Sequence, residues 1–436
     1  MPPPNRFPPA AVLLALCAWC GGCGGLLGSG EEAPGVRVVS FGGWGDCLRL
    51  SNGLVRVTCV PAVGGRTLDY RLGGCNFLFI GRRELGTTAD EQRPYRHFGG
   101  HFVQLHPEER WRRLQAVYPA SLFMGRYEAR IAETEGPFAV EMVSPPDPAS
   151  GTRVLRRIEL FSGSTRLRTT DTLVNARPVA QAWGLHDFLQ LKGVAEPSGI
   201  LDGDEQPSGE MELYVPLDPE GRYPGGLKHA VPPADDDRQW DTEGLPGLLV
   251  LRYRGHFGKA KVDPAAPWVA LVSRESGHVF VQRCAVPEKA VLTAGGGYPL
   301  VEVESFAPVT ELAPRGQATL VQEWFATRCG GPVVDVTDAG VVVAPLTLLR
   351  GEDGLWAAGK FGVFYVGEAA VVLRDAEGGE LARFPAGAVH PAQPLLLHRR
   401  FELPPATARV TLEVRDANGE VVGDLGTVLL GGGVEE

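Results

Sequence analysis

The chain is short of positive charge: 42 lysines and arginines stand against 52 aspartates and glutamates, for a formal net charge of −10. Binding to nucleic acid needs clustered cations that displace counterions from phosphates. The two arginine clusters, Arg82-Arg83 and the RWRR stretch from Arg110 to Arg113, are small and bounded by acids, so a nucleic-acid partner is excluded on charge. A sustained 3.6-residue apolar repeat is also missing, since no window carries one beyond about two turns. Neither H-E-x-x-H nor a paired C-x-x-C is present, which removes the common zinc signatures. The apolar run AAVLLALCAWCGG near the start is too short to span a bilayer permanently.

Turn-formers and alternation are plentiful instead. The 57 glycines and 36 prolines make up about a fifth of the 436 residues, below the range of low-complexity disorder, and 44% of the chain is hydrophobic. Such a chain folds, is rich in turns and has room for two or three domains. CLRLSNGLVRVTCV alternates apolar and polar residues around Asn52-Gly53, a hairpin signal. RVLRRIELF (153–161), HVFVQRCAV (278–286), LVEVESF (300–306) and ATLVQEWFA (318–326) continue the period of two. The reading is all-β, with many strands in sandwiched sheets. A break falls at Gly330-Gly331-Pro332, and residues 332–436 form their own strand set, which predicts a smaller immunoglobulin-like sandwich with a spacing or stabilising role. The stretch 200–247 is polar with few strand signals and reads as a long loop; its Asp235-Asp236-Asp237 run lacks the spacing of a calcium loop and reads as a solvated face.

The amino terminus reads as an export signal over residues 1–23, with a tether over 24–35. Cys17, Cys20 and Cys23 spell C-x-x-C-x-x-C, but inside a signal a metal or iron–sulfur role fails. Cys23, after two glycines, resembles the lipidated cysteine of bacterial lipoproteins, although Cys20 replaces the usual Leu. The expectation is an exported protein, at the periplasm or cell surface, anchored through Cys23. Five cysteines remain, and an oxidising compartment permits disulfides among them while leaving at least one unpaired. Cys47 and Cys59 face opposite ways if the hairpin turn has two residues and the same way if it has three.

Three stretches carry candidate chemistry. In WGLHDFLQL (183–191), alternation puts Gly184, His186, Phe188 and Gln190 on one face and the mostly apolar Trp183, Leu185, Asp187, Leu189 and Leu191 on the other. An imidazole, an aromatic ring and a carboxamide together suit a polyhydroxylated ligand, though a satisfied structural histidine is the competing reading. LVEVESF puts Glu302 and Glu304 on one strand face; like charges there are either solvated or functional, and a desolvated one would be tuned toward general-base work near neutrality. RPYRHFGGHFVQLHPEER holds His97, His101 and His106 around Gly99-Gly100. A metal site is disfavoured by their spacing, and the glycine pair marks a close approach of backbone to a sugar.

The order of these pieces resembles the galactose mutarotase-like (aldose 1-epimerase-like) β-supersandwich superfamily. It is most similar to a bacterial branch known only as a domain of unknown function. The elements carrying the resemblance are SNGLVRVTCVPAVGGRTLDYRLGGCNFLFIG, FGG, LRRIELFSGSTRLRTTDTLVNARP, WGLHDFLQL, VEVESFAPVTELAPRGQ and QEW, and it covers residues 36–329. It implies a Glu base on the anomeric hydroxyl and a His acid on the ring oxygen. His186, Phe188 and Leu191 match the family's acid strand, with Gln190 in place of Asn. Glu302 or Glu304, ahead of Pro308 and Leu312-Ala313-Pro314, stands in the base's place, with Arg315 interrupting the Pro-Gly. The family's second His directly precedes Gly-Gly; Phe98 stands there, and His97 and His101 compete for the supporting role while His106 has none. Arg66 in GGR would be a hydroxyl contact. The implied function is carbohydrate binding with Glu/His interconversion of sugar anomers, needing no cofactor. The competing class is a non-catalytic glycan-binding or structural envelope protein; a glycoside hydrolase or lyase accessory domain is weaker, because one strand pair of glutamates does not place carboxylates across a bond.

Overall fold

The computed structural model describes residues 32–114, 120–201, 211–233, 237–293, 298–351 and 354–430. The predicted export segment with Cys23, most of the tether, and Asp235 and Asp236 lie outside them. Nearly every element is a strand. A twelve-stranded sheet runs in the order Gly35–Phe41, Trp44–Ser51, Val55–Val60, Arg66–Leu72, Gly100–His106, Gln181–Lys192, Leu300–Phe306, Glu288–Thr293, Gly258–Val262 and Leu227–Val231, with Cys75–Asn76 and Thr310–Leu312 off this path. A ten-stranded sheet packs against it. Its members include Thr152–Leu160, Leu167–Asn175, Met211–Pro216, Trp268–Ser273, His278–Arg283 and Gln317–Arg328.

The layer between the two sheets is where alternation sends the apolar residues. Leu189, Leu191, Val301 and Val303 from the first sheet meet Ile158, Leu271, Phe280 and Trp324 from the second. Each such side chain contributes about 1.5–3 kcal/mol by leaving water. The strands Thr152–Leu160 and Leu167–Asn175 alternate cleanly between buried and half-exposed because their outer face meets solvent. Trp268–Ser273 is buried along its whole length. Its inner residues join the inter-sheet core, while Trp268, Ala270 and Val272 pack outward on Val341, Val343 and Phe364 of the carboxy-terminal part. There Phe325 and Phe364 stack at 4.4 Å, and the Thr165 amide donates to the Phe364 carbonyl at 2.9 Å.

The sheet changes between Arg328 and Asp335. The strands that follow form two four-stranded sheets around Phe361, Val371 and Leu412. The polar stretch 200–247 is more regular than its composition implied: Met211–Pro216, Leu227–Val231 and Trp240–Asp241 are strands. Their polar residues sit at half-exposed edges or in ion pairs such as Glu212 with Arg252 at 2.6 Å. The first hairpin turns one residue later than Asn52-Gly53 suggested. Ser51 pairs with Arg56, and the Asn52 carboxamide oxygen accepts from the Leu54 and Val55 amides. Cys59 therefore sits opposite Leu48, so Cys47 points to the other face; all five described cysteines are buried and unpaired.

Candidate functional site

Five neighbouring strands of the twelve-stranded sheet compose its outward face. In register, His186 lies between Gln104 and Phe306, Phe188 between Phe102 and Glu304, and Gln190 between Gly100 and Glu302. Beyond Glu304 come Ala290 and then Lys261. The strand pairing thus places imidazole, carboxylates, carboxamide, rings and amines within one patch, as the period of two predicted for His186, Phe188, Gln190, Glu302 and Glu304.

His186 Nε2 donates to Glu304 Oε2 at 3.0 Å, and the Lys259 amine reaches Glu304 Oε1 at 2.5 Å. The imidazole is held between the rings of Phe188 and Phe306, with centroids 4.0 and 4.3 Å away. Gln190 donates to Glu302 Oε2 at 2.6 Å. The two carboxyls are driven apart. Burial, followed by the negative charge of Glu304, pushes Glu302 up to about 7. Burial also acts against the Glu304 carboxylate, but the His186 hydrogen bond and the charges of His186 and Lys259 outweigh it and hold Glu304 below the usual range. Both His186 and Glu304 are nearly closed off, at 1% and 2% exposure. Even so, His186 Nδ1, Gln190 Oε1 and Arg66 Nε are buried with no hydrogen-bond partner. Beside this patch opens a cavity of about 420 Å³, walled by His106, Arg222, Lys259, Lys261, Glu288 and Glu304 among others.

The remaining candidates part company. Arg66 lies on the same face, its guanidinium 3.7 Å from the Phe102 ring, but donates to the carbonyls of Gly99 at 2.8 Å and Phe123 at 3.2 Å. Burial pulls it down to about 9, which still leaves it charged at neutrality. His97 stacks on Tyr298 at 4.3 Å, and burial with the charge of Arg66 holds it below its ordinary pKa. His101 is a correction. It shares a face with Val103 and Leu105, so its ring points into the inter-sheet core, fully buried, and cannot hold a sugar hydroxyl. There Nε2 meets Asp187 Oδ1 at 2.5 Å, Nδ1 accepts from Arg156 at 2.7 Å, and Arg156 bonds Asp171 at 2.6 Å. His101, Asp171 and Asp187 bring ligand atoms within 4.8 Å of one another, yet the Arg156 guanidinium already supplies the cation there. The glycine pair is a second correction. A Cβ on Gly99 or Gly100 would lie 2.1 Å from the Phe79 carbonyl or 2.3 Å from that of Thr67, so these glycines admit neighbouring backbone rather than a sugar.

Sequence reasoning missed the cavity wall. His106, given no role, has its ring 6.3 Å from that of His186 and donates to the Ala307 carbonyl at 2.5 Å. The signal was present: in HFVQLH, Phe102, Gln104 and His106 share the face opposite Val103 and Leu105. Lys259 and Lys261 alternate in GKAKV, but nothing local shows that this strand lies two places from LVEVESF.

No family model and no curated protein matches the chain. Among solved structures, a galactose mutarotase-like protein from Clostridium acetobutylicum superposes with a TM-score of 0.45 at 10% identity, covering 67% of this chain and 98% of its own. The chain is similar in structure to galactose mutarotase-like proteins. Another of that description, from Lactobacillus casei, gives a TM-score of 0.43 at 12% identity, over 64% of this chain and 99% of its own. A TPR-domain containing protein from Parabacteroides distasonis gives 0.46 at 12%, over 71% of this chain and 51% of its own.

Proposed function

We propose that the outward face of the twelve-stranded sheet binds a carbohydrate and that the chain, exported and anchored through Cys23, interconverts sugar anomers there. The observation that carries this is the set of unsatisfied polar atoms on one face, His186 Nδ1, Gln190 Oε1 and Arg66 Nε; the cavity of about 420 Å³ reaches this face at Glu304 and Phe306. Each buried polar atom left unpaired costs about 1–3 kcal/mol. A polyhydroxylated ligand supplies donors and acceptors for all three while its C–H face packs on Phe188 and Phe306.

The two glutamates then take different parts. Glu302, poised near neutrality, takes the proton of the anomeric hydroxyl as the bond from the anomeric carbon to the ring oxygen breaks. His186, oriented by Glu304 through Nε2, gives a proton from Nδ1 to that ring oxygen, leaving the open-chain aldehyde. Rotation about the adjacent carbon–carbon bond and the reverse transfers close the other anomer. The engagement of both Glu304 oxygens, by His186 and by Lys259, favours the second reading, a glycan-binding module without catalysis.

Polarimetry of freshly dissolved α-glucose and α-galactose separates the two. Acceleration by the wild type that disappears in His186→Ala supports anomer interconversion. No acceleration over buffer, with calorimetric sugar binding intact, leaves the binding module. Absence of binding to every mono- and oligosaccharide on a glycan array sinks both.

A further inference from the structure

At the far end of the His186 strand, its last residue meets a cysteine. Lys192 is 1% exposed, and among the described residues its amine reaches two partners, Cys75 Sγ at 3.2 Å and the Glu196 carbonyl at 2.9 Å. No carboxylate pairs with it among the described residues, unlike Lys259 and Lys261. Burial, first among the causes, lowers the Lys192 pKa and so enlarges the share of free amine. At 6% exposure, Cys75 is also the least enclosed of the described cysteines, ahead of Cys329 at 4%. A nitrogen nucleophile fixed beside the thiol of the least enclosed described cysteine is an arrangement for trapping an oxidised thiol before it goes further.

We propose that Cys75 and Lys192 form a peroxide-sensitive covalent switch. Hydrogen peroxide oxidises the Cys75 thiol to a sulfenic acid with release of one water. The Lys192 nitrogen lone pair then attacks that sulfur, the S–O bond breaks, and hydroxide leaves with a nitrogen proton as a second water. The product is an N–S bond between the two side chains. Two equivalents of an external thiol reverse it, restoring thiol and amine and yielding a disulfide. The bond ties the end of the His186 strand to the Cys75–Asn76 strand, whose Asn76 carboxamide donates to the Leu68, Leu78 and Ser198 carbonyls.

The test is peptide mass mapping of the native full chain after millimolar peroxide, with and without dithiothreitol. The expected product is a Cys75–Lys192 cross-linked peptide pair, about 2 Da lighter than the sum of its parts, that dithiothreitol resolves. The same treatment in urea should yield no such pair, since the 3.2 Å geometry is lost on unfolding. Lys192→Arg should leave Cys75 to proceed to sulfinic acid. If native wild type instead carries Cys75 as sulfinic acid beside an unmodified Lys192, or Cys75 stays reduced while another cysteine oxidises, the switch does not exist.

Discussion

The Gln181–Lys192 strand carries a buried polar cluster on each face, and the two are built to different ends. On the inner face, His101 has both ring nitrogens engaged, by Asp187 and Arg156, and Gln322 adds a hydrogen bond to Asp187 at 2.7 Å. On the outer face, His186 has one nitrogen engaged and one without a partner. Burial alone does not separate them, since both rings are almost wholly enclosed. Hydrogen bonding at the two rings does: the protein engages both nitrogens of His101, though Gln282 Oε1 nearby has no partner, whereas on the outer face His186 Nδ1, Gln190 Oε1 and Arg66 Nε are all without one.

Breaking the inner cluster should have the largest effect. Arg156→Leu leaves Asp171 buried and unpaired, and urea unfolding should show a loss of about 3–5 kcal/mol. A loss below about 1 kcal/mol would mean that the inner cluster does not hold the fold together. His186→Ala should act the other way, on ligand before fold. Losing hydrogen bonds to a charged group, about 1.5–3 kcal/mol, weakens sugar binding on the order of 10- to 150-fold by titration calorimetry, while stability falls less than in Arg156→Leu.

Glu302 sharpens the comparison through pH. Its folded pKa of about 7 lies above the ordinary carboxyl value of 4.5, so between those values the folded state holds the proton more tightly. Stability from this group is therefore full below about 4.5 and is lost as pH rises through about 7. Thermal melts of Glu302→Gln should lack that decline and should exceed wild type at pH 8. A wild-type profile that rises between pH 5 and 8, unaltered by the substitution, contradicts the assignment. Lys259→Met should have the smallest effect. Lys259 is about a third exposed, so the ion pair contributes at most about 1 kcal/mol after screening. The group it supports, Glu304, is held low, so binding that needs the carboxylate is present above the ordinary carboxyl range and lost as pH falls; in Lys259→Met that loss should set in at a higher pH.

Much of this is legible in the sequence. Alternation in WGLHDFLQL separated His186, Phe188 and Gln190 from the core face, and LVEVESF paired its glutamates on one side. The same rule applied to HFVQLH would have sent His101 inward and His106 outward; the glycine pair drew attention to the wrong neighbour. Arg156 was visible too, on the core face of RVLRRIELF between Val154 and Ile158, where a charge demands a buried partner. What no local pattern contained was strand order. The Gly258–Val262 strand reaches the site across Glu288–Thr293, and that adjacency comes from long connections rather than from spacing.

The apolar layer shared by Trp268, Val272 and Phe325 with Val341, Val343 and Phe364 makes each part of the molecule a cover for the other. A chain shortened after Arg328 would carry a ten-stranded sheet that exposes an oily back, prone to stick to its own copies. The residues after Arg328 are therefore the cover that keeps this back out of water.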